Sequence, residues 1–219
     1  MANKRTVSNK LLITYLFIFY LWWAIEEICN WQYSSIPLLQ ESISALVKFA
    51  TWSIPAYFLI KKYSDRLAIG YSTMFKNHFR FWPYLGLFIL MLIYLFATVY
   101  FTSGTIRINP SWHPTDLIGS FLIVGITEEL VFRGWILNAL LPKFKTWVAL
   151  LIDSILFLVI HFPIWYRTGT FLSNFASGAE FTVIILGILF GLLFIKSKNI
   201  FVPIIFHMFW DLILTVFLL

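Results

Sequence analysis

Apolar residues run along the chain in seven long, nearly unbroken stretches, at about 11–29, 36–60, 81–101, 116–141, 146–162, 181–195 and 200–219. Short polar segments separate them. A helix needs about 20 mostly apolar residues to cross the roughly 30 Å hydrocarbon layer of a bilayer. The pattern therefore predicts an all-α fold, a polytopic transmembrane helical bundle of about seven spans. The second stretch is the weakest, because it holds Glu41 and Lys48, and it is compatible with a position partly in the interface. Segments 103–115 and 166–180 read as the longer loops, since both contain Gly and the first also contains Pro. Gly187 and Gly191 form a G-x-x-x-G in the sixth stretch, a spacing that lets another helix approach closely.

Composition strengthens this picture. Of 219 residues, 60% are hydrophobic and 12% charged, against about 45–50% and about 25% in soluble domains. A soluble core of this size cannot bury that much apolar surface, whereas a bilayer can. The chain reads as one membrane-embedded domain, 1–219. The formal charge of +6 would suit nucleic acid, but its distribution argues against such a partner. Lys4, Arg5, Lys10, Lys61, Lys62, Arg66, Lys76, Arg80, Lys143, Lys145, Lys196 and Lys198 all fall on one side of the predicted membrane. The opposite loops hold only Arg107 and Arg167. This bias predicts a multi-pass protein of the cell membrane with a cytoplasmic N-terminus and an extracellular C-terminus. The basic start of the chain leads into an apolar run without an A-x-A-like cleavage site, so that run reads as a retained first span. The single cysteine, Cys29, excludes an intrachain disulfide and a thiolate-rich metal site.

Ionisable side chains within spans are the informative residues, because each costs at least about 2.5–3.5 kcal/mol unless it faces a cavity or a partner. The fourth stretch carries Glu128-Glu129-Leu-Val-Phe-Arg133. Glu129 and Arg133 are four apart and share a helix face. Glu128 is rotated about 100° away and is left unpaired. The fifth stretch ends in Phe157-Leu-Val-Ile-His161, and the last contains His207-Met-Phe-Trp-Asp211, again four apart. Taken singly, these are a structural charge pair, an interfacial histidine and a buried His–Asp pair. Glu26-Glu27 repeats the paired glutamates, but Trp31 stands where a basic partner would be, so these two read as interfacial or gating.

Taken together, three spans contribute carboxylates and imidazoles at membrane depth. Two hydrolytic chemistries use such a set. A carboxylate can act as general base on a water while imidazoles orient it. Alternatively, Glu128, His161 and His207 can be ligands of Zn²⁺ or another divalent metal that lowers the pKa of a bound water.

The three motifs, in this order, resemble those of the CPBP intramembrane proteases, also called the CAAX-protease or Abi family: E-E-x-x-x-R, F-x-x-x-H, and H-x-x-x-N or D. The resemblance covers about 116–219. It implies an intramembrane endopeptidase that hydrolyses a peptide bond in a peptide or membrane-protein precursor at the lipid bilayer. Glu128 resembles the residue that activates the attacking water, and His161 the one that helps to position it. Glu129 and Arg133 resemble the supporting pair, while His207 and Asp211 resemble the pair proposed to stabilise the oxyanion. Both a metal-dependent and a metal-free mechanism have been proposed for the family. Asp rather than Asn at 211 bears on this, since an ionised Asp is a poor oxyanion donor. The compact chain is most similar to the bacterial branch, which implies leader-peptide or pheromone processing, or self-immunity to bacteriocins. The alternative is a non-catalytic membrane immunity or regulatory protein that binds a bacteriocin receptor or a sensor kinase. A third reading, a small transporter, would call for inverted repeats or broken helices, and the sequence suggests neither.

Overall fold

The computed structural model describes residues 6–218; Lys4, Arg5 and Leu219 lie outside the described residues. Every element among the described residues is helical. Helix α1 is Asn9–Cys29, opened by the Ser8 hydroxyl, which accepts from Leu11 N at 3.2 Å, and closed by Asn30 in the left-handed region at φ 45°. Helix α2 runs as one rod over Pro37–Lys62. The short α3, Tyr71–Lys76, precedes α4, Trp82–Ser103. Helix α5 covers 117–140. Then follow α6 (Thr146–Val159), α7 (Phe162–Arg167), α8 (Phe171–Ser177), α9 (Ala179–Ser197) and α10 (Phe201–Phe217).

All seven apolar stretches are therefore helical. Among the described residues, five rods are long and apolar enough to cross a membrane: α1, α2, α4, α6 with α7, and α9. Helix α5 carries Glu128, Glu129 and Arg133 in its middle, and α10 has 17 residues. The second stretch, for which the sequence leaves a position partly in the interface open, forms one continuous 26-residue helix with an 18-residue window of mean hydropathy 1.5. The loop expected over 166–180 is corrected, because it contains α8. Phe171 and Phe175 pack edge-on or tilted against Phe162 and Trp165 with centroids 5.3 to 6.5 Å apart, which gives this short helix a packing partner.

Two local breaks shape the interior. Pro55 in α2 has no amide proton for the carbonyl four residues back, and the π turn Phe49–Ser53 directly precedes it. Pro163 ends α6 in the same way, so that His161 sits at the step between α6 and α7. Helix α5 has two π turns of its own, Leu117–Ile123 and Leu130–Leu137, on either side of the α-helical turn Val124–Glu129. Such turns recur at functional sites.

Helix α5 is the axis of the core. Val131, Phe132, Trp135 and Ile136 are buried against Phe19 of α1, Trp52 and Ile60 of α2, Phe157 of α6 and Phe194 of α9. A second cluster joins Met91 and Leu95 of α4 to Phe190, Phe206 and Trp210 of α9 and α10. Close helix approach depends on two glycines. A Cβ at Gly187 would lie 2.9 Å from Ser154 Cβ, so the G-x-x-x-G helix does pack tightly, against α6. A Cβ at Gly125 would lie 2.5 Å from Met208 Cγ and 3.3 Å from its backbone nitrogen. Glycine there lets α10 approach α5 beside the paired glutamates.

Candidate active site

Glu129 and Arg133 are fully buried, and the side chain of Glu128 is 8% exposed. Charges so placed destabilise a fold unless each is paired and hydrogen-bonded. Arg133 Nε lies 3.2 Å from Glu129 Oε2 and 3.7 Å from Asp153 Oδ2, and Nη2 donates to the Gly187 carbonyl at 3.1 Å. Its guanidinium also stands 4.5 Å from the ring centroid of Phe157. One cation thus ties α5, α6 and α9 together. Asp153 was not anticipated from the sequence. An acid in the middle of the fifth apolar stretch, with an arginine still free to take a second carboxylate, was the signal for it.

The last span docks on this frame. His207 Nδ1 bonds Glu129 Oε1 at 2.8 Å, and its Nε2 faces Asp211 Oδ2 at 3.4 Å and Glu128 Oε2 at 3.9 Å. Phe190 stacks on the imidazole with centroids 4.9 Å apart. The expected His207–Asp211 pairing within one helix face is present. The shorter bond, however, goes to Glu129 on another helix.

His161, at the step between α6 and α7, has Nδ1 3.0 Å from the Phe157 carbonyl. In the tautomer that donates this bond, Nε2 is left for the cavity. Helix α1 fixes the local backbone, since Tyr20 Oη donates to the Leu156 carbonyl at 2.6 Å and Trp23 Nε1 to that of Ile160 at 2.7 Å.

Glu128 is not unpaired, which corrects the sequence reading. Lys48 of α2 reaches it, Nζ to Oε1 at 3.1 Å. The ammonium lies 5.1 Å from the Trp23 ring centroid and 4.6 Å from that of Trp52. Lys48 marks the second stretch as weak when only that stretch is considered. Read across stretches, a lone base in one span and a lone acid in another are the signal of a pair.

These groups border a cavity of about 290 Å³, lined among others by Trp23, Lys48, Glu128, His161 and Asp211. A second cavity of about 240 Å³ shares Trp23, Lys48 and Val124 with it and is lined by Glu26, Glu27 and Glu41. Glu27 pairs with Arg167 of α7, Oε1 to Nη2 at 2.7 Å, so one of the two early glutamates has a basic partner that spacing along α1 does not show.

The CPBP resemblance raises a divalent metal on Glu128, His161 and His207. Among the described residues, no group of three or more His, Cys, Asp or Glu side chains is arranged to hold a metal ion. Both ring nitrogens of His207 face carboxylates, and Glu128 already carries an ammonium partner. The donor set in this geometry does not fit a preformed metal centre.

Comparison with known families bears on the same residues. Residues 110–213 match the family of Rce1-like type II CAAX prenyl endopeptidases. The matched segment contains all three motifs, from Glu128 to Asp211, and agrees with the CPBP resemblance. No curated protein and no solved structure gives a significant match to the chain. The match and the apolar rods together make this a multi-pass membrane protein with a CAAX-protease-type segment.

Proposed function

We propose that the chain is an intramembrane endopeptidase in which Glu128 activates water against a peptide bond. The observation that carries this reading is one cavity, lined by Glu128 of α5, His161 at the step between α6 and α7, and Asp211 of α10, with His207 tied to Glu129 beside it. The Rce1-like match of residues 110–213 supports the reaction class.

Glu128 takes a proton from the water as the water oxygen bonds to the scissile carbonyl carbon and the C=O electron pair moves onto oxygen. The carbonyl then reforms, the C–N bond breaks, and Glu128 returns its proton to the leaving nitrogen. His161 Nε2 holds the water in line. Arg133, Glu129 and Asp153 act through position: they fix His207 and the turn that carries Glu128. The substrate we propose is a peptide or membrane-protein precursor at the bilayer, in leader or pheromone processing or in self-immunity to bacteriocins. That part rests on the bacterial-branch resemblance.

The test is a digestion. The full chain in lipid vesicles is given a proteome-derived peptide library and a farnesylated C-a-a-X peptide, and new termini are read by mass spectrometry. Wild type should generate termini that Glu128→Ala and His161→Ala do not, with all three equally folded. Identical termini from all three would overturn the enzyme reading. Immunity that survives in Glu128→Ala cells would favour the non-catalytic binder.

A further inference from the structure

Addition of water to a carbonyl develops negative charge on oxygen, and a site that accelerates it presents a hydrogen-bond donor where that oxygen will stand. Few side chains here can. Asp211 has no proton to donate when ionised, and its Oδ2 is turned to His207 at 3.4 Å. His161, with Nδ1 on the Phe157 carbonyl, offers the cavity a lone pair. His207 bonds Glu129 through Nδ1, its Nε2 points toward Asp211 and Glu128, and among the described residues it is not one of those lining the cavity of Glu128 and His161. Arg133 is fully buried and engaged by Glu129, Asp153 and the Gly187 carbonyl.

Lys48 is different. Its ammonium carries three protons, and the hydrogen bond to Glu128 Oε1 at 3.1 Å uses one of them. Its side chain lines both cavities, so it stands where they meet. The indoles of Trp23 and Trp52 hold Nζ over their faces without offering an oxygen acceptor. Reacting atoms in a productive complex lie about 3–3.5 Å apart. A carbonyl carbon at that distance from a water on Glu128, on the side that faces Lys48, has its oxygen within reach of Nζ.

We propose that Lys48 is a catalytic residue of this site, donating a hydrogen bond to the oxyanion formed when the Glu128-activated water adds to the scissile carbonyl. The role rests on the endopeptidase reading above. No proton leaves Lys48. It shares a hydrogen bond with the oxyanion while the C–O bond forms and releases it when the C–N bond breaks. In this account Lys48 takes the oxyanion role that an ionised Asp211 fills poorly.

The competing role for Lys48 is a countercharge that only keeps Glu128 ionised, and chemical modification separates the two. In the vesicle assay, on the best-cleaved library peptide, Lys48→Met should lower kcat by about 10²–10³-fold with KM little changed. In a Cys29→Ser background, Lys48→Cys is treated either with 2-bromoethylamine or with (2-bromoethyl)trimethylammonium. The first restores an ammonium with N–H donors, and the second restores the charge alone. Recovery of kcat with the first and not the second is the expected result. Equal recovery with both, or unchanged kcat in Lys48→Met, overturns the donor role while Glu128-dependent cleavage leaves the endopeptidase reading intact. Cleavage that survives in Glu128→Ala, or no cleavage by wild type, removes the endopeptidase reading and the donor role with it.

Discussion

His207 Nδ1 stands 2.8 Å from Glu129 Oε1, so a residue of the last helix is oriented by the second glutamate of α5. Glu129→Ala removes that acceptor and leaves the imidazole free to rotate. A misplacement of about 1 Å that a residue away from the chemistry passes on to the site can cost roughly 10²-fold. A fall of that order in kcat, with the chain still folded by circular dichroism, is expected. Glu129→Gln, which keeps an oxygen acceptor, should lose less.

Arg133 is the cation between two buried carboxylates, Glu129 and Asp153. Arg133→Met leaves both without it, and removing one partner of a buried ion pair costs about 3–5 kcal/mol. Denaturant titration of the purified protein should show a loss of that size. Asp153→Asn should cost less, because Glu129 still pairs with the guanidinium.

The approach of α10 to α5 rests on Gly125. A Cβ there meets Met208 at 2.5 Å, and Gly125→Val adds two further methyl groups. Cleavage should fall at least about tenfold, since a displaced α10 takes His207 with it. Met208→Ala in the same chain should recover part of the rate, as measured by the library assay.

The fold was largely legible because a bilayer makes burial a matter of hydropathy. The edges of α1 and α4 lie within two residues of the apolar runs 11–29 and 81–101. The pairs Glu129–Arg133 and His207–Asp211 were legible because helical spacing of four puts them on one face. Pairings across helices were not. Lys48 with Glu128 and Arg133 with Asp153 join α2 to α5 and α5 to α6, and no spacing within one helix encodes them. Helix α8 is not legible in the sequence because what supports it is edge-on aromatic packing against α7 rather than length or amphipathicity.

Among the described residues, the side chains do not converge as a ready metal cradle. Cleavage by protein treated with EDTA and with 1,10-phenanthroline should remain within about twofold of the untreated rate, because Glu128 supplies the base itself. Loss of turnover that added Zn²⁺ restores would count against this assignment.

Water attack assisted by Glu128 can be read by isotope. With enzyme in excess over the best-cleaved peptide in H₂¹⁸O, a single turnover should place one ¹⁸O in the new C-terminal carboxylate of the product and none in the Glu128 side chain. Label in Glu128 together with an unlabelled product would mean that the carboxylate itself attacks the carbonyl, and the role of Glu128 as a base on water would be wrong.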